Sequence, residues 1–265
     1  MIWPLFKKEL WASRKILLMF MALLSIYGVV IVALYNPTLG SVLDMMAATM
    51  PEVFAAFNMT TMRANILEFV ANYLYGFILL VIPMIYILIM THRLMGRYLD
   101  KGSMAYLLST PYNRRQVLLT QWVVLISGLS LLLGYFSGLL VACMTLFVKE
   151  SFNLGSFVLL NLGLFSLHFM IASGCFLSSC SFNEAKMSVG VGAGACIVFV
   201  LMQMLSGISD KIAFLKYLNP LSLFNSQGLI DGNILAILGM LVLIGAGVGL
   251  LYLAMQYFEK RDLPL

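Results

Sequence analysis

Few residues in this sequence could do covalent chemistry. His168 and Cys175 stand two helical turns apart, a spacing that could set a base beside a thiol. No third group joins them, and an activated nucleophile needs an oriented base. Cys143, Cys175, Cys180 and Cys196 make no CxxC pair and all lie in or beside apolar runs. They read as small apolar side chains, not as a disulfide framework or a metal site. No Gly-Lys pair occurs anywhere, so the GxxxxGK[ST] loop that cradles nucleotide phosphates is missing. What remains is binding chemistry. Glu68, Asn72, Tyr73 and Tyr75 cluster at the start of one apolar run, Asn161, Ser166 and His168 lie in another, and Gln203 in a third. An ionisable group inside apolar sequence is a functional candidate. Glu68, Asn72 and Tyr75 are therefore the candidate substrate-pathway residues, with Arg63 available to pair Glu68. His168 suits a packed, hydrogen-bonded, neutral ring better than a transport role.

The elements that would hold these groups follow from composition. Of 265 residues, 62% are hydrophobic and 10% charged, and the mean hydropathy is +0.99. An ordinary soluble domain is about 25% charged. Too few polar groups are present to cover a soluble fold, which excludes a soluble enzyme, a nucleic-acid-binding module and a disordered chain. A spanning helix needs about 20 mainly apolar residues. Residues 16–34, 69–90, 117–148, 156–178, 188–206 and 234–258 contain no Asp, Glu, Lys or Arg. The expected fold is one all-α polytopic transmembrane domain over 1–265 with six spans. The first run is too long for a signal-peptide core and is followed by Tyr35-Asn36-Pro37 rather than a small-x-small cleavage site, so it is expected to be retained.

Six crossings put both termini on one side. If that side is the cytosol, it carries Lys7, Lys8, Arg14, Lys15, Arg93, Arg97, Lys101, Arg114, Arg115, Lys186, Lys260 and Arg261, against Arg63, Lys149, Lys211 and Lys216 outside. The positive-inside rule selects this orientation. Residues 1–14 form an amphipathic stretch with Ile2, Phe6 and Leu10 on one face and Trp3 and Trp11 beside it, which predicts an interfacial helix on the inner leaflet. Outside, 43–57 predicts a small helical element. Residues 207–232 are too punctuated to span and could form re-entrant half-helices before the last crossing. Gly134 and Gly138, Gly190 and Gly194, and Gly245 and Gly249 are spaced GxxxG, which predicts close helix packing, chiefly within the bundle.

The connection 91–116 is the most specific part of the sequence. Met104, Leu107 and Leu108 give a short helix one apolar stripe, Gly102 precedes it, and Thr110-Pro111 ends it. Arg114 and Arg115 mark where the third span begins. An apolar-faced helix with nothing of its own to pack on suits a groove on another protein.

Asp100, Gly102 and Ser103, then Leu107, Leu108, Ser109, Pro111 and Arg114, resemble the loop of ABC-2 type permeases, membrane subunits of type V-like ABC exporters. Leu218-Asn219-Pro220-Leu221-Ser222-Leu223-Phe224 and the ending Phe258-Glu259-Lys260-Arg261-Asp262-Leu263-Pro264-Leu265 resemble the family as well. The sequence departs from the pattern in having one acidic residue, Asp100, where a run of Glu is common, and Gln121 where a basic residue often stands. The resemblance implies two permease chains, expected to be a homodimer, with two copies of an ABC ATPase that hold ATP and Mg. Asp100, Gly102, Met104, Leu107, Leu108, Ser109, Pro111, Arg114 and Arg115 would then couple the ATPase to the pathway. It implies a bacterial plasma membrane location and no enzyme activity in this chain alone. A pathway poor in charge, with 19 methionines, suits an amphipathic cargo, and compact permeases of this length resemble exporters of phenol-soluble modulins and lantibiotics. The rival is a non-ABC carrier or scaffold without ATP coupling. A gradient-driven carrier would usually place carboxylates within its spans, and these six have none.

Overall fold

A computed structural model of the chain describes residues 1–35, 45–46, 48–56, 65–96, 98, 112–148, 152–182, 184–208 and 214–260. Backbone in an apolar surround must satisfy its own N–H and C=O groups, and the described residues do so in helices, with no strand among them. The elements are α1 (Trp3–Ala33), α2 (Pro51–Ala56), α3 (Ile66–Gly96), α4 (Arg114–Phe147), α5 (Leu154–Ser181), α6 (Ala185–Ile208), α7 (Leu215–Leu218), a 3₁₀ turn (Pro220–Leu223), α8 (Ser226–Ile230) and α9 (Ile234–Lys260). Six of these, α1, α3, α4, α5, α6 and α9, are long and apolar enough to cross a membrane. The protein is an all-α polytopic membrane protein.

The helices overrun the uncharged runs at their ends, because Lys, Arg and Glu are good helix formers and no breaker stops the helix at the first charge. The first helix shows this most clearly. No separate interfacial helix covers 1–14; α1 runs unbroken through Arg14 and Lys15. Its 31 residues at about 1.5 Å each exceed the roughly 30 Å hydrocarbon thickness. The buried face of its first turns is also not the expected Ile2, Phe6, Leu10 stripe. Ile2, Leu5, Glu9 and Ser13 are buried, because this end of α1 lies against the start of α4. Ile2, Leu5 and Val117 pack together, and the Ile2 N–H donates to Thr120 Oγ1 at 2.8 Å. Trp3 and Trp11 stay exposed, with the Arg14 guanidinium 3.7 Å over the Trp11 ring.

Helix α5 is the hub. It packs along α9 and also touches α3, α4 and α6, while α1 packs mainly on α4. In the most apolar window, 61% of α3 is buried but only 17% of α6, so α3 is interior and α6 peripheral. Trp122 of α4 meets Phe169 and Phe176 of α5 edge-on, with centroids 5.6 and 5.3 Å apart. α2 falls inside the expected 43–57 element and packs on α6. Between α6 and α9 the chain forms short helical pieces that do not span. Asn219, Leu221, Phe224 and Leu229 bury them against the end of the bundle.

Among the described residues, the GxxxG glycines face open space. A Cβ on Gly134, Gly138, Gly190, Gly194, Gly245 or Gly249 would meet nothing within 4 Å. The expectation of packing chiefly within the bundle fails because GxxxG spacing marks one helix face without saying where that face points. A different glycine makes the tightest α5–α9 approach. A Cβ on Gly247 would lie 2.6 Å from Phe169 Cδ1 and 3.2 Å from Met170 Cα.

Gly247→Ala should therefore destabilise the protein by about 1–3 kcal/mol, the usual overpacking cost. Gly245→Ala should leave thermal unfolding in detergent unchanged or slightly raised. Equal midpoints for the two variants would contradict this packing.

Candidate functional site

Two regions bring polar groups together, one at each end of the bundle. The first is the end that carries both chain termini. Here α3 ends in a π-helical turn, His92–Gly96, set among α4, α5 and α6. Leu94, Met95 and Gly96 are buried there. A π turn is rare and frequently marks a functional site. The connection to α4 leaves from this turn. Asp100, Gly102, Met104, Leu107, Leu108, Ser109 and Pro111 lie outside the described residues, as does the expected short helix. Its flanks are described. The Tyr98 hydroxyl donates to Glu9 Oε1 of α1, a contact between residues 89 apart in sequence. Arg114 and Arg115 open α4 and are exposed. Arg115 Nε lies 3.8 Å from Glu259 Oε1 at the end of α9. Both ends of the connection are thus tied to carboxylates on other spans. The exposed Arg115–Glu259 pair contributes at most about 1 kcal/mol.

Near this end several buried polar atoms lack a partner among the described residues. They are Thr91 Oγ1, Arg93 Nε and both amide atoms of Gln121. Gln121, where a basic residue is common in the resembled family, is 1% exposed.

Other buried polar groups within the spans find partners, although the Tyr86 hydroxyl has none among the described residues. Asn161 Oδ1 accepts from Tyr75 Oη at 2.9 Å and from Ser137 Oγ at 2.6 Å. Its Nδ2 donates to Phe157 O at 2.8 Å. One amide thus joins α3, α4 and α5. Pro83 of α3 lacks an N–H and crowds the carbonyl four residues back. The next carbonyl, Leu80 O, faces His168 Nε2 at 3.3 Å, and His168 Nδ1 faces Leu164 O at 2.9 Å. His168 thus links α5 to the backbone of α3 one residue beyond Leu79, the carbonyl that Pro83 leaves without its N–H. Cys175 faces Cys196 Sγ at 3.9 Å and not His168.

The second region is the end away from the termini. Residues Ala71–Ile78 of α3 form a longer π-helical segment, which turns Asn72 and Tyr75 to different surroundings. Tyr75 is inside the Asn161 node. Asn72 lines a cavity of about 260 Å³ with Gln203, Lys216, Ser222, Phe224, Asn225, Ser226 and Gln227. Glu68, one turn earlier, keeps a buried Oε2 without a partner among the described residues; Arg63 lies outside them. The three candidate pathway residues therefore do not form one surface. Gln203 in this lining is held by Asn219, whose Nδ2 donates to Gln203 Oε1 and to Phe199 O, each at 3.0 Å. Asn219 Oδ1 accepts from the Leu221 N–H at 3.1 Å. Asn219 and Ser222 belong to a motif visible in the sequence, whereas nothing local marks Lys216, Asn225 or Gln227 as their neighbours.

Six spans joined by a polar node define a multi-pass membrane protein. The sequence model of the ABC-2 family transporter proteins matches residues 3–263. The chain belongs to that family and is a membrane permease of an ABC transporter, with an ABC ATPase as its partner. No curated protein matches it.

A buried amide with no partner costs about 1–3 kcal/mol. Gln121→Leu should raise the unfolding midpoint in detergent. Asn161→Ala should lower it, since it leaves the Tyr75 and Ser137 hydroxyls without their shared acceptor. A fall for Gln121→Leu would show that Gln121 has a partner within the folded protein.

Proposed function

We propose that this permease is the membrane half of an exporter, working as a pair of identical chains with two ATPase subunits, and that its cargo is an amphipathic peptide. The observation that carries the coupling part is the bracing of the 91–116 connection. Tyr98 is held by Glu9 and Arg115 lies beside Glu259, so a push on the connection reaches α1, α3, α4 and α9 together. Asp100, Gly102, Met104, Leu107, Leu108, Ser109 and Pro111 supply the docking helix, with Arg114 and Arg115 behind it. ATP and Mg belong to the ATPase. The excess of Lys and Arg at this end supports placing it, and both termini, in the cytosol of a bacterial cell.

Pairing is supported by α6. It is the least buried span, and Gly190 and Gly194 on it face open space. Small residues let a second helix approach closely in lipid. An amphipathic cargo is supported by methionine-rich spans with Glu68, Asn72 and Tyr75 among their few polar groups. Met surfaces re-pack around varied partners.

The test is co-purification with the ATPase encoded beside this chain. The ATPase should come down with the wild-type protein and be lost with Leu107→Asp/Leu108→Asp, while the permease alone shows no ATP hydrolysis. Amphipathic helical peptides should stimulate hydrolysis in reconstituted complexes severalfold. Retention of the ATPase by the double variant would remove the docking role of 104–108. A complex that hydrolyses ATP but responds to no such peptide would remove the cargo reading and leave the coupling reading standing.

A further inference from the structure

We propose that the cavity at the end away from the termini binds the head of an anionic phospholipid whose headgroup also carries a hydrogen-bond donor. Its polar lining is biased toward anions. Lys216 supplies a cation, and among the described residues no acidic side chain lines the cavity. Gln203 Oε1 already accepts from Asn219, and Asn225 Oδ1 accepts from the Gly228 N–H at 2.9 Å. Those two amides therefore have N–H groups left to offer, which suit phosphate oxygens. One acceptor points the other way. Gln227 Oε1 is buried with no partner among the described residues, and a buried orphan acceptor is stabilised by any donor that reaches it. A phosphate followed by a hydroxyl or primary amine satisfies both sets.

The apolar surroundings supply room for chains. At Lys216 and Ser222 the cavity joins a concave surface of about 870 Å³ lined by Phe214, Tyr217, Leu218 and Leu223. Tyr217 is 93% exposed and Leu218 66%, although both flank a cation on a membrane protein. At Gln203 it adjoins the apolar side chains Phe77, Val81, Val200 and Met204 of α3 and α6, which leave only about 10 Å³ between them. A polar cavity that opens onto a large apolar surface matches an amphiphile, not a small soluble anion. The cavity lies where α3 begins and α6 ends, the depth at which headgroups sit.

The test uses the whole purified chain, delipidated in detergent and titrated with dioleoylphosphatidylglycerol, with adducts counted by native mass spectrometry. One phosphatidylglycerol should be retained per chain in preference to phosphatidylcholine, whose head has no donor for Gln227. Lys216→Ala should weaken retention about fivefold, the effect of one cation near a lipid surface. Lys216→Ala/Gln227→Leu should weaken it at least tenfold. Gln227→Leu removes an unpaired polar atom and so should fold, which guards against loss of structure. Lys186→Ala, at the other end, should change nothing. Glycerol 3-phosphate should not displace the lipid. Unchanged retention in the double variant, equal retention of phosphatidylcholine, or displacement by glycerol 3-phosphate would each overturn the proposal. No ATPase takes part, so its failure would leave the permease reading intact.

Discussion

Apolar helices in lipid gain nothing from the hydrophobic effect when they meet, so close backbone approach and hydrogen bonds must specify their arrangement. Helix α5 supplies most of both. Gly247 of α9 lies against Phe169 and Met170, and Asn161, His168 and Ser178 each bond outside or along α5. Ser178 Oγ donates to Ser188 O of α6 at 2.7 Å, and Ser188 Oγ to Ser179 Oγ at 2.9 Å. Four other spans are positioned by this one helix. The rest of the architecture depends on its polar atoms finding partners away from water.

Helix α3 is the element that runs between the two functional ends. It begins at the cavity with Asn72 and finishes at the 91–116 connection. Near each end its ladder widens into a π-helical turn, and between them Pro83 interrupts it. Beside the proline, His168 of α5 lies against the Leu80 carbonyl. An interrupted helix buried on most sides can change its local winding without unfolding. That property suits a span that joins the 91–116 connection to the cavity at the opposite end of the bundle.

The periphery has a different character. Helix α6 is the least buried span, and the GxxxG glycine faces of α4, α6 and α9 meet no other side chain among the described residues. Surfaces of this kind serve lipid or a second chain. The family identity, which rests on nearly the whole length, gives those faces and the braced connection a common context: a membrane permease that works with an ABC ATPase.

The sequence by itself determined the helices. Six uncharged runs of spanning length admit no other fold in lipid, because each must close its own backbone hydrogen bonds. It also showed the family, through short motifs whose residues stand next to one another. It did not show which faces met. The expected interfacial helix at 1–14 became the first turns of α1, with Glu9 buried, because its partner Tyr98 lies 89 residues away. The GxxxG glycines pointed outward while Gly247, with no such signal in its favour, made the tight contact. Glu68, Asn72 and Tyr75 read as one cluster, yet a π-helical segment directed Asn72 to the cavity and Tyr75 to Asn161. Spacing along a chain fixes the angle between side chains only while the helix keeps its usual winding. Where winding changes, or where a partner comes from a distant span, only the tertiary structure decides what each residue meets.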